Sequence, residues 1–193
     1  GENFFGILNG VDYSVWCPEK NPYIAKSYSS ETLGLKAQNK KAILSDSGLT
    51  DGPGVPLFGF VGRFSHQKGI GLLRDAGEAL SQRDIQMVFL GSGDAGSESV
   101  MRSLAQRHPG KVAVHLKFDE RLAHRILAGS DFFLMPSVFE SCGLTQLMAL
   151  RYGVMSIVSA VGGLVDTVKD ISGREGTGIV LKSYDVPGLL ETV

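Results

Sequence analysis

Two cations five residues apart, Arg63 and Lys68 of Gly62-Arg63-Phe64-Ser65-His66-Gln67-Lys68-Gly69, follow an apolar run and open an amphipathic one. Arginine offers phosphate oxygens a planar fork of donors and lysine adds a mobile point charge, so the pair reads as a diphosphate clamp able to stabilise a leaving group. Two solvated loop cations would show the same spacing. Glu140, in Phe139-Glu140-Ser141-Cys142-Gly143-Leu144-Thr145, could accept hydrogen bonds from sugar hydroxyls, and a helix starting behind Gly143, at Leu144 and Thr145, would turn its positive end toward phosphate. The alternative is an exposed acid beside a helix cap. Cys142, with no base assigned next to it, reads as a packed small residue rather than a nucleophile. Gly91 and Gly93 of Leu90-Gly91-Ser92-Gly93-Asp94 let backbone approach a ligand, or form an ordinary tight turn. Gly162 and Gly163, ahead of Leu164, would aim unsatisfied N–H groups at an anion, or simply turn the chain. Phe118 could stack on a nucleobase, although a core position is the commoner fate of phenylalanine. His66, His108, His115 and His124 lack metal-site spacing and read as structural or solvated.

These residues need a scaffold that gathers loops at one edge. Short apolar runs at 57–61, 87–90, 112–116, 131–135, 154–158 and 178–181 alternate with segments about as long as a crossover helix. That pattern predicts an α/β fold, a Rossmann-like parallel sheet with helices on both faces. The helices are expected over 69–82, 97–107, 120–128, 144–152 and 164–169. In such sheets ligands sit beyond the carboxyl ends of the strands, where every candidate falls. Residues 1–54 form a lead-in, with a turn at Asn9-Gly10-Val11-Asp12, a loop over 18–22 and one helical pattern over 30–44; residues 55–193 form the sheet domain.

A length of 193 residues, 43% hydrophobic and 20% charged, suits one globular domain and excludes wholesale disorder and membrane residence. Nineteen basic against twenty acidic residues, with no block of like charge, argue against nucleic acid or an anionic membrane as partner. Cys17 and Cys142 lack the spacing of a disulfide framework or zinc site. With no signal-peptide layout and no membrane-length apolar run, the cytoplasm is the expected compartment. The opening Gly-Glu-Asn, without methionine, is expected of an excised fragment.

Taken in order, Asn9-Gly10-Val11-Asp12 with Trp16, Arg63 with Gln67-Lys68-Gly69, Leu90-Gly91-Ser92-Gly93-Asp94, His124-Arg125-Ile126, Pro136-Ser137 with Phe139-Glu140, Cys142-Gly143-Leu144-Thr145-Gln146 and Gly162-Gly163-Leu164 with Asp166-Thr167-Val168 resemble the C-terminal domain of bacterial glycogen synthases and plant starch synthases. The resemblance runs nearly the whole length, and Cys142 to Gln146 is its most specific mark. It implies the C-terminal lobe of a two-domain GT-B glycosyltransferase whose N-terminal acceptor lobe is absent here. The implied reaction is retaining transfer of glucose from ADP-glucose to the non-reducing end of an α-1,4-glucan, with no metal cofactor. By resemblance Arg63 and Lys68 bind the diphosphate, Glu140 contacts the glucosyl unit, Phe118 takes the place of a tyrosine beside adenine, and Gly162 and Gly163 add loop contacts. The implied compartment is the cytoplasm, or the plastid stroma for a plant or algal source.

Ser141 stands for the usual proline, Ala160-Val161 for Arg-Thr, and Met148 where related retaining transferases carry a second glutamate. A fragment lacking the acceptor lobe is expected to bind weakly and catalyse little. Two other readings stay open: a related transferase using UDP-glucose or another donor, and a non-catalytic module that binds nucleotide sugar without turnover. A flavodoxin-like signalling domain would want acidic residues at the end of the first strand, where Arg63 and Lys68 stand.

Overall fold

The computed structural model describes residue 3 and residues 5–193, so residues 1, 2 and 4 of the expected lead-in lie outside the described part. Among the described residues, six strands form one parallel sheet: β1 (Leu57–Val61), β2 (Gln86–Gly91), β3 (Val112–Leu116), β4 (Phe132–Met135), β5 (Met155–Val158) and β6 (Gly178–Val180), ordered β3-β2-β1-β4-β5-β6. The helices are α1 (Lys36–Asp46), α2 (Ile70–Ser81), α3 (Ala95–Arg107), α4 (Glu120–Gly129), α5 (Leu144–Arg151), α6 (Gly163–Thr167) and α7 (Val186–Thr192). Helices cover both faces, so successive strand side chains enter two different cores. Phe58, Phe60, Met87, Phe89 and Leu134 pack with α2, α3 and α7 on one face. Leu57, Val88 and Leu90 meet α1 and α4 on the other, where Phe133, Met135 and Val158 meet α4, α5 and α6. In α2 the buried Ile70, Leu73, Gly77 and Leu80 recur at helical spacing, which fixes the face it presents.

The lead-in belongs to the same cores. Ile43 and Leu44 of α1 are buried against α4, and Tyr28 donates to the Tyr152 carbonyl oxygen at 2.8 Å. Lys36 Nζ donates to the carbonyls of Leu127 (3.0 Å) and Ala128 (2.7 Å), satisfying two acceptors at the end of α4. Lys40 reaches Asp131 at 2.6 Å, and the same carboxylate oxygen accepts from the Leu57 N–H at the start of β1.

Several element boundaries differ from expectation for local reasons. The helical pattern over 30–44 becomes a 3-10 turn at Leu33–Leu35 followed by α1. Upstream, Ser29, Ser30, Glu31 and Thr32 hydrogen-bond one another, including Ser29 N–H to Thr32 Oγ1 at 2.9 Å, and such local bonds compete with helix. The helix expected from 69 starts at Ile70, because Gly69 is left-handed (φ 75°) and ends a 3-10 turn at His66–Lys68. The turn assigned to Asn9–Asp12 lies later in the chain. Asp12 accepts from Ser14 N–H at 2.8 Å, and its carbonyl accepts from Val15 and Trp16. Helix α7 was not expected, although Asp185, which accepts from the Gly188 N–H at 2.7 Å, followed by Pro187 is a helix-start signal.

Asp170 ties the segment after α6 to β6. Hydrogen bonds from the Ser172 side chain and from the Val180 and Ser172 N–H groups hold its carboxyl down at about 2. A carboxyl depressed in this way contributes stability that is present above the unfolded value of about 3.9 and is lost as the pH falls through the folded value. In urea unfolding, the difference between the wild-type and Asp170→Asn midpoints should therefore hold from neutral pH to about 4 and shrink toward pH 2. A difference that persists unchanged at pH 2 contradicts this account.

Candidate functional site

The strand order reverses between β1 and β4, which open a crevice at their carboxyl ends because the following helices leave toward opposite faces. The loops that leave these strands are sewn together. Val138 N–H donates to the Gln67 carbonyl at 2.9 Å, and Gln67 Nε2 donates to the Phe139 carbonyl at 3.3 Å. A Cβ on Gly69 would overlap the Pro136 carbonyl oxygen, so glycine is required for the loops to approach this closely. Across the seam Lys68 Nζ lies 2.5 Å from Glu140 Oε2, with the two side chains 19% and 9% exposed. Ser137 Oγ donates to the same oxygen at 3.4 Å. Glu140 Oε1 receives no hydrogen bond from the described residues, so one carboxylate oxygen in the crevice remains an open acceptor.

The glycine pair proves to be a brace. Gly163 N–H donates to the Glu140 carbonyl at 2.9 Å, and a Cβ on Gly162 (φ 48°) would overlap that same oxygen. The N–H groups of Leu164 and Val165 donate to Val161 and Gly162 carbonyls. The expectation that this short helix aims free N–H groups at an anion is thereby corrected: the groups are already engaged, and they fix the backbone of Glu140. Cys142 is half-buried, and its backbone lies where a Cβ on Gly163 would come within 2.7 Å.

Helix starts along this edge fall into two kinds. Asp94, Asp119 and Asp185 cap α3, α4 and α7 through their own carboxylates. In contrast α2 and α5, which flank the crevice, begin behind left-handed Gly69 and Gly143 with no side-chain cap. Among the described residues no acceptor takes the Leu144 or Thr145 N–H at the start of α5, which leaves a positive helix end open to an anion.

Next to the seam a cavity of about 320 Å³ lies beyond the ends of β1, β2 and β3. Arg63, Gly91, Phe118 and Thr145 line it, together with Trp16 and Glu120. Phe118 is 92% exposed, so the core alternative for it is ruled out. Arg63 donates to Gln67 Oε1 at 3.2 Å, which ties the guanidinium to the seam. Gly93 lies apart from the cavity lining: its N–H donates to Glu98 Oε1 at 3.0 Å, and a Cβ there would overlap the Phe64 carbonyl. A Cβ on Gly91 would overlap the Gly62 carbonyl oxygen and also strike the Phe64 ring, so these two glycines serve the packing of the β1 loop. Leu144 is exposed at the start of α5.

Sequence reasoning gave no role to Gln67, which holds both Arg63 and the Phe139 backbone; its position four residues after Arg63 was the available signal. Trp16 was likewise left without a role. The histidines have separate surroundings: His108 pairs with Glu78 at 3.0 Å, His115 meets Ser47 Oγ at 3.1 Å, and His124 is fully buried. Among the described residues no group of three or more His, Cys, Asp or Glu could hold a metal ion, and no helix is long and apolar enough to cross a membrane.

Comparison with known proteins matches residues 55–193 to the family model described as "Glycosyl transferases group 1". A glycogen synthase of Anaeromyxobacter dehalogenans is 48% identical over 186 residues, 96% of this chain and 39% of that protein. A glycogen synthase of Koribacter versatilis is 45% identical over 190 residues, 97% of this chain and 39% of that protein. Among solved structures, the catalytic domain of starch synthase IV from Arabidopsis thaliana bound to ADP and acarbose superposes with a TM-score of 0.92 at 34% identity. That match covers 99% of this chain and 41% of the other. The chain thus spans about two-fifths of the length of the relatives it matches.

The brace yields a stability test. Gly162→Ala should cost about 1–3 kcal/mol from backbone strain alone, a fall in Tm of roughly 3–10 °C. Gly71→Ala, in α2 with open space around it, should leave Tm unchanged or raise it. Equal thermal unfolding of Gly162→Ala and wild type would remove the brace.

Proposed function

The chain belongs to the group 1 glycosyl transferases, and from that premise we propose that it is the nucleotide-sugar half of a glycogen or starch synthase, which moves glucose from ADP-glucose onto the non-reducing end of an α-1,4-glucan with retention of configuration. The observation that carries this reading is the half-buried Lys68–Glu140 pair, set at the β1/β4 crevice between two helix starts that lack side-chain caps. The names of the curated relatives support it, as does the starch synthase bound to ADP and acarbose. In keeping with the span of the family model, residues 55–193 form the nucleotide-sugar domain and residues 1–54 lead in from the interdomain region.

In this reading the nucleoside lies in the cavity lined by Phe118, and the diphosphate reaches from Arg63 toward the open N-terminus of α5. When the bond between the glucosyl C1 and the diphosphate oxygen breaks, its electron pair stays on that oxygen. The Arg63 fork, the Lys68 ammonium and the Leu144 and Thr145 N–H groups meet the developing charge. These groups supply the positive charge, so the reading invokes no metal. The new C1–oxygen bond forms to the acceptor 4-hydroxyl, whose proton leaves with the diphosphate. Glu140 uses its open oxygen Oε1 to accept from hydroxyls of the glucosyl unit, while Lys68 and the Gly162-Gly163 brace hold its other groups in place. The glucan is held by the part of the relatives' length that this chain does not span.

The test is incorporation of labelled glucose into glycogen by the full-length polypeptide, from ADP-glucose and separately from UDP-glucose. ADP-glucose should be the better donor, and Lys68→Ala and Glu140→Ala should each lower turnover by about 10²–10³-fold, the scale for removing one stabiliser of transition-state charge. Incorporation from UDP-glucose alone overturns the donor assignment. No incorporation from either donor, with ADP still bound, identifies a non-catalytic binding module.

A further inference from the structure

Trp16, the one tryptophan of the chain, lines the 320 Å³ cavity although it comes from the lead-in, about forty residues before the sheet begins. Its ring stacks on His124 of α4 with centroids 4.1 Å apart and planes 23° apart, and it meets Tyr152 edge-on at 6.5 Å. His124 is itself fixed. Asn21 Oδ1 accepts from the Tyr23 N–H at 2.8 Å, which turns the Asn21 amide nitrogen toward His124 Nδ1 and the Tyr152 hydroxyl, both at 2.9 Å. The Tyr152 hydroxyl also lies 2.7 Å from Nδ1.

An amide nitrogen is a donor, so Nδ1 must be the acceptor and the single proton of the neutral ring sits on Nε2. Nε2 is buried without a hydrogen-bond partner, and its nearest carboxylate is Glu120 Oε1 at 3.8 Å, itself part of the cavity wall. Burial holds the imidazole below its ordinary value, in keeping with a neutral ring. A charged ring would direct a second N–H at the Asn21 donor. The cluster therefore has one stable arrangement, and that arrangement sets the plane of the Trp16 indole. The Trp16 ring is also packed against both cores on this face of the sheet, and what those cores and His124 leave uncovered forms part of the cavity wall.

We propose that Trp16 is a wall of the base-binding part of the nucleotide site and that His124, locked through Nδ1 by Asn21 and Tyr152, is the positioning residue that holds it there. The inference rests on the reading of this cavity as the nucleoside pocket. It makes the lead-in a component of the site rather than a connector. It also gives the base two aromatic surfaces drawn from different parts of the chain, Trp16 and the exposed Phe118.

ADP and inorganic pyrophosphate separate the two ends of the site, because pyrophosphate carries the diphosphate without the nucleoside. Each should be titrated at up to millimolar concentration into the full-length polypeptide, by calorimetry and by Trp16 emission, taken as the difference from Trp16→Phe. ADP should shift or quench Trp16 emission with the same midpoint as its heat, whereas pyrophosphate should bind with little change in emission. Trp16→Ala should weaken ADP about tenfold and Asn21→Ala about threefold to fivefold, with pyrophosphate affinity kept in both. His124→Phe, which retains a stacking face, should lose less ADP affinity than His124→Ala.

If ADP and pyrophosphate weaken together in these variants, the cluster is merely structural and the proposal is overturned. Wild-type heat with ADP but silent Trp16 emission and undiminished ADP binding by Trp16→Ala overturns the wall while leaving the nucleotide reading in place. Absence of heat with both ADP and pyrophosphate in the wild type overturns the nucleotide reading and this proposal with it.

Discussion

Everything at the site depends on closing the gap where β1 and β4 send their helices to opposite faces of the sheet. Neighbouring parallel strands are held by backbone hydrogen bonds only as far as they run, and beyond their ends the loops diverge unless something else joins them. Here the joint is made by the Gln67 carbonyl, the Gln67 amide and the near-contact of Gly69 with Pro136. Lys68 and Glu140 face each other because that joint brings their backbones together first. The pair is therefore a product of the seam more than its cause. A half-buried ion pair gains little net stability after desolvation, and its value lies in fixing where two opposite charges stand.

The position of Glu140 is set three times over. Its carboxylate is held by Lys68 and Ser137, and its carbonyl by the Gly163 N–H. Its backbone is also pressed by Gly162, where a side chain has no room. The cavity beside it is organised on a similar plan, with Arg63 tied to the seam through Gln67 and Trp16 tied to α4 and α5 through His124 and Tyr152. In each case a residue lining the crevice or the cavity is held by a neighbour.

The sheet was legible in the sequence because burial on both faces makes each strand an unbroken apolar run, as in Met87-Val88-Phe89-Leu90. Edges of elements were less so: the hydroxyl-rich Ser29 to Thr32 stretch looks helical by pattern but spends its side chains on a local turn. The candidate residues lie beyond the carboxyl ends of strands, where the alternation of runs puts them. Their partnerships could not be read from that alternation. Lys68 and Glu140 are 72 positions apart, and Asn21 meets His124 across 103, distances at which periodicity carries no information. Glycines were the hardest to read, since Gly91 and Gly163 look alike in sequence, yet one makes room for a neighbouring carbonyl and ring while the other donates its N–H to a carbonyl.

A helix start filled by a carboxylate from its own chain is occupied by a competitor tethered at high effective concentration, against which a free anion in solution competes poorly. Asp94, Asp119 and Asp185 occupy three starts in this way, while the two beside the crevice stand empty of such a competitor. The sheet edge therefore differs along its length in the charge it carries: a carboxylate sits at the starts of α3, α4 and α7 and none caps α2 or α5. Three small acids thus set the starts of α3, α4 and α7 apart from the glycine-led starts of α2 and α5.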